Sequence, residues 1–131
     1  MTKYLILYGA LALIFFPLDF IWLSTMGKGF YQREIGSLLL PNPNLLIAGL
    51  FYLAYLVGLL ILVAIPAEGN VLKALMLGAL FGFVAYGTYD LTNLSTIQGF
   101  TPAVAAVDMA WGTVLTGVSA AGGVWVARMF A

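Results

Sequence analysis

The sequence predicts an all-α integral membrane protein: a four-helix up-down-up-down bundle with a short amphipathic interfacial segment between spans one and two. Three observations carry that prediction. Hydrophobic residues make up 63% of the 131 positions and charged residues only 8%, which is too little polar surface for a water-soluble domain of this size. The apolar residues gather in four runs, each long enough to cross a hydrocarbon core of ~30 Å. Short stretches rich in Gly, Pro, Asn and charge separate the runs, so consecutive helices are expected to run antiparallel. The chain, 1–131, reads as one transmembrane domain.

Span one is expected over about 4–25. Lys3 precedes an apolar run that is longer than the core of a signal peptide, and no small-x-small cleavage site follows it, so it is expected to be a retained span. Pro17 removes one backbone donor and is expected to kink the helix. Asp19 lies just beyond it, and Trp22 suits the lipid–water boundary. Over about 28–40, Lys28, Gln32, Arg33, Glu34 and Ser37 oppose Tyr31, Ile35, Leu38 and Leu39 at helical spacing. That pattern predicts a short helix lying in the interface.

Span two, about 45–65, follows the breaker Asn42-Pro43-Asn44 and carries no charge; Tyr52 and Tyr55 are its main polar groups and are read as packing or anchoring residues. Span three, about 71–93, opens after a turn in which Asn70 is a suitable N-cap. Gly78, Gly82, Tyr86 and Asp90 recur on it at four-residue intervals. Gly78 and Gly82 form a small-xxx-small pair through which a neighbouring helix can approach. Span four, about 102–127, begins with Thr101 as N-cap and Pro102 at its first position. Asp108, Gly112, Thr116 and Ala120 share one row there, so Gly112 and Thr116 are helix-packing candidates, and the glycine rows of spans three and four are candidate contact faces if the chain forms a homodimer.

Composition excludes several chemistries. Lys and Arg total 5 against 5 acids, for a formal charge of zero, and no basic patch offers itself to nucleic acid. With no Cys and no His, there is no disulfide, thiolate nucleophile or imidazole ligand. Any metal would need oxygen ligands alone. No cofactor and no metal site is implied. Lys3, Lys73 and Arg128 fall on one side and Lys28 and Arg33 on the other, a bias that favours cytoplasmic termini in a bacterial inner membrane.

The chemistry-bearing feature is acidic. Asp19 stands near the end of span one, Asp90 near the end of span three and Asp108 near the start of span four. In an up-down bundle all three fall within roughly 5–10 Å of one membrane face, at ~1.5 Å per residue. The bland alternative is that each caps or snorkels separately, but Asp is too short to reach far toward water. One charged Asp at mid-helix costs on the order of 3 kcal/mol, less near the interface. Three at one level call for a shared proton, a bound cation, pairing with Arg33 or Lys28, or a wet cavity. At least one is expected to bind a proton between about pH 5 and 8, as coupled acids do. Tyr86, Tyr89, Asn93, Trp111, Arg33 and Glu34 complete the candidate ligand- or proton-binding set, as hydroxyl, amide, indole or charged neighbours of that level.

The segments Asp19-x-x-Trp22, Phe30-Tyr31-x-x-Glu34, Tyr86-x-x-Tyr89-Asp90-Leu91-Thr92-Asn93 and Asp108-x-x-Trp111-Gly112 resemble an uncharacterised family of small four-span bacterial inner-membrane proteins, domain of unknown function 2177. The resemblance covers almost the whole chain. It implies the four-span fold and the membrane location, and it brings no catalytic assignment.

Three functions compete. The acids could bind or transport protons or a cationic or amphipathic small solute, which for so few helices predicts a homodimer. The chain could be an accessory subunit of a larger membrane complex. It could be a lipid-modifying enzyme that uses carboxylates as acid and base or as Mg²⁺ ligands. No nucleophile motif or phosphate-cradling loop favours the enzyme, and the sequence leans away from it.

Overall fold

A computed structural model of the chain describes residues 1–130. Those residues form helices and short connections, with no strand among them. Helix α1 spans Thr2–Met26 and passes through Pro17 without ending. A π turn at Gly27–Tyr31 leads into α2, Gln32–Ile35, and a 3₁₀ turn at Gly36–Leu38. Helix α3 covers Leu45–Leu59 and finishes in a second π turn, Leu60–Ala64. Helices α4, Val71–Thr96, and α5, Pro102–Arg128, complete the chain. Four helical stretches are long and apolar enough to cross a membrane: Thr2–Leu38, Leu45–Ala64, Val71–Thr96 and Pro102–Arg128.

The starts of the last three helices are set by local chemistry. Asn44 accepts a hydrogen bond from the Ile47 amide at 3.1 Å, and Asn70 one from the Lys73 amide at 3.0 Å. Thr101 accepts one from the Val104 amide at 3.2 Å, with Pro102 next to it. Each cap satisfies a backbone donor that has no partner within its helix. The α3–α4 reversal uses positive φ at Glu68 and Gly69.

The interfacial segment differs from the expectation in one respect. Glycines and charges after Met26 suggest a break, yet helical structure runs unbroken from Thr2 to Leu38, 37 residues in all. At ~1.5 Å per residue that exceeds a ~30 Å hydrocarbon core. The far end, with Lys28, Arg33 and Glu34, therefore belongs to the headgroup region while remaining joined to α1. Tyr31 and Ile35 pack there against Phe100, Val104 and Ala105.

Helices α4 and α5 make the closest pair. A Cβ at Gly78 would stand 2.8 Å from the Ala120 Cβ and 2.9 Å from the Thr116 carbonyl; at Gly82 it would collide with the Gly112 carbonyl. Bare backbone at these positions is what lets the helices touch, and in lipid such contact replaces the hydrophobic effect as the driving force. Leu11 and Phe15 of α1, Leu56 and Leu59 of α3 and Leu115 of α5 fill the core beside this pair. Outward residues such as Leu13, Leu46 and Leu80 are apolar as well, as a lipid-facing surface requires.

Helix α3 leans against the others mainly through its C-terminal turn. Its first half stands off from α4, and Leu45, Leu46, Leu50 and Phe51 are exposed. A cleft therefore opens between α3 and α4 toward the membrane face that bears the aspartates.

Candidate functional site

The three aspartates share a level but occupy different niches. Asp19 is buried on α1, just past Pro17, and accepts a hydrogen bond from Trp111 Nε1 at 3.1 Å. Tyr52 lies alongside it. Asp108, half-buried on α5, accepts one from the Tyr31 hydroxyl at 2.8 Å, and that hydroxyl accepts one from Trp22 Nε1 at 3.2 Å. The indoles of Trp22 and Trp111 are stacked, so α1 and α5 are joined by two hydrogen-bonded acids flanking one aromatic pair.

Asp90 is different. It is fully buried between α4 and α5, with 0% of its surface exposed, and neither carboxyl oxygen has a hydrogen-bond donor among the described residues. Its polar neighbour is Asp108, another acid. A buried carboxyl without a donor is costly in any protonation state and far more so when ionised. A proton shared between the two acids would supply one bond; a donor carried by a ligand would supply more.

The aspartates do not converge on a single ion. Among the described residues no group of three acidic side chains lies close enough to hold a metal. Asp90 and Asp108 are direct neighbours, and Asp19 is hydrogen-bonded by Trp111.

The cleft between α3 and α4 meets this pair. It has a volume of about 480 Å³ and is walled by Ala48, Phe51, Tyr52 and Tyr55 of α3 and by Ala85, Tyr86 and Tyr89 of α4, with Asp108 at its inner side. Tyr55 is fixed by a 2.9 Å hydrogen bond between its hydroxyl and that of Thr116. Tyr86 is half-buried, and its ring lies over Gly112, where any Cβ would collide with it. Gly112 thus makes room for an aromatic ring, while Gly78 and Gly82 admit the opposite helix, including Thr116.

The remaining candidates stand further off. Tyr89 is 60% exposed, at the mouth of the cleft. Asn93 is half-buried one turn beyond Asp90, beside Tyr89. Glu34 accepts a 2.9 Å hydrogen bond from the Thr101 hydroxyl and so ties the interfacial segment to the start of α5. Arg33 and Lys28 are exposed and form no ion pair with the acids among the described residues. The pairing with Arg33 or Lys28 considered from sequence is therefore not present.

Sequence reasoning missed Tyr31 as the donor to Asp108, and it read Tyr52 and Tyr55 only as packing groups. The available signal was the position of all three hydroxyls at the depth of the acids, since a buried Tyr usually needs a partner for its hydroxyl.

A family described as predicted membrane protein, DUF2177, matches residues 4–125 of the chain. No curated protein and no solved structure matches it.

Proposed function

The chain belongs to the DUF2177 family of predicted membrane proteins, and we propose that its Asp90–Asp108 pair is an intramembrane binding site for a proton or a small cationic solute. The observation that carries this reading is Asp90, completely buried, without a donor, and beside a second carboxylate that lines an open cleft. Ionisable groups inside a membrane are costly and face functional cavities rather than lipid. A cation or a donor-bearing head would supply the hydrogen bonds the pair lacks.

Tyrosines complete the chemistry. The rings of Tyr52, Tyr55 and Tyr86 surround the approach to Asp108, and aromatic faces attract organic cations. A bacterial inner-membrane location with both termini in the cytoplasm belongs to this proposal, and so does assembly as a homodimer if the site serves transport.

The test is equilibrium binding of a primary alkylammonium to the purified protein in lipid nanodiscs. Wild type is expected to bind it, and Asp108→Asn to weaken it by at least about tenfold, since a charge-assisted hydrogen bond contributes about 1.5–3 kcal/mol. Equal binding by wild type and Asp108→Asn would overturn the reading.

A further inference from the structure

The cleft at Asp108 is half of a longer furrow. A second hollow, about 330 Å³, continues along the same α3–α4 seam and is lined by Leu62, Val63, Leu77, Leu80, Phe81, Val84 and Ala85. Ala85 borders both. The furrow is therefore polar at the end that holds Tyr86, Tyr89 and Asp108, and wholly apolar at the other. It lies between two spans whose flanking residues, Phe51, Leu80, Phe83 and Val84, are exposed toward the bilayer.

From this polarity we infer that the ligand is a single-chain cationic amphiphile that enters sideways from the bilayer. Its head would sit at Asp108, the member of the pair that lines the cleft, and its chain would lie along the α3–α4 furrow. The inference rests on the proposed binding role of that pair.

Length fits the occupant. Leu77 and Tyr89, at the two ends of the furrow on α4, are 12 residues apart (89 − 77). That is about 18 Å along a helix, close to one leaflet of a ~30 Å hydrocarbon core. Charge fits as well. A phosphate-bearing head would meet two carboxylates with no base beside them, because Arg33 and Lys28 are exposed in the headgroup region. An ammonium or hydroxyl-bearing head meets acceptors there. An apolar furrow opening to lipid gives the chain a track that a short, water-soluble amine would not use.

The experiment compares a long-chain primary alkylamine with a short-chain amine bearing the same head, by native mass spectrometry of the full chain released from detergent. Val84→Trp and Leu62→Trp fill the apolar half of the furrow from its two walls. Leu13→Trp adds the same bulk to an exposed position of α1. Wild type is expected to retain the long-chain amine at least about tenfold better than the short one. Val84→Trp and Leu62→Trp should remove that preference while leaving short-chain binding intact, and Leu13→Trp should change neither. If both amines bind equally, or the furrow variants leave the preference intact, lateral entry is overturned while the acidic binding site stands. If neither amine binds wild type, the site and the lateral route both fail. Thermal unfolding of each variant identifies one that has lost its fold, and the other wall's variant then decides.

Discussion

Trp22 and Trp111 lie face to face, with ring centroids 4.4 Å apart and planes only 4° from parallel. Each indole also has work for its N–H: Trp22 donates to Tyr31, and Trp111 donates to Asp19. One aromatic pair thus holds α1 against α5 and orients the surroundings of two acids. Trp111→Phe keeps an aromatic surface but leaves Asp19 without its indole donor. It is expected to destabilise the protein by about 1–3 kcal/mol, read from unfolding in mixed detergent. Asp19→Asn with Trp111→Phe should cost less than the sum of the two single changes, because the partners act together.

Packing of α4 on α5 gives a second test. Gly82→Ala would drive a methyl group into the Gly112 carbonyl and to within 2.8 Å of Thr116 Cβ. The expected loss is about 1–3 kcal/mol, as for overpacked cores. Gly49→Ala adds the same methyl group where nothing lies within 4 Å, and it should be neutral or slightly stabilising in the same unfolding assay.

Tyr31→Phe removes the donor to Asp108 and the acceptor for Trp22. A loss of about 1–3 kcal/mol is expected. Binding at the acidic pair should change with it, because Tyr31 restrains the Asp108 carboxylate that lines the cleft. Unaltered stability and unaltered amine binding in this variant would show that the contact has no part in the site.

Thr101→Val tests the closure of the interfacial segment on α5. Thr101 both accepts from the Val104 amide and donates to Glu34. Losing the cap and the link together should cost about 1–2 kcal/mol, and hydrogen exchange should speed up at Val104 and around Glu34. Glu34→Gln, which keeps an acceptor, should have a smaller effect.

Features that depend on near neighbours were legible in the sequence. Asn70, Thr101 and Pro102 announce helix starts because a cap acts within one turn. Gly78, Gly82, Gly112 and Thr116 could be placed on small-residue rows because a helix repeats every 3.6 residues, but that the two rows face each other within one chain is seen only in the structure. The common level of Asp19, Asp90 and Asp108 followed from counting along antiparallel spans. What counting along the helix cannot supply is the angle around it, and that angle turns Asp19 to Trp111 and Asp90 to Asp108. The glycines at 27 and 29 looked like a break, yet a π turn carries the backbone hydrogen bonds through them. Tyr31 therefore comes back to Asp108, 77 residues away, a contact with no local signature. The tilt of α3 that opens the cleft is equally invisible, since its apolar residues look the same whether they face lipid or a neighbour.

The central claim is that the acidic pair of donorless Asp90 and Asp108 receives a partner from outside the chain. A density map of the protein in a lipid nanodisc, equilibrated with the long-chain amine, tests it most directly. The account predicts non-protein density within about 3 Å of the Asp108 carboxylate, reaching toward Asp90 and continuing between α3 and α4. A map in which a protein side chain fills that space, or in which Asp90 has turned outward to water, would contradict it.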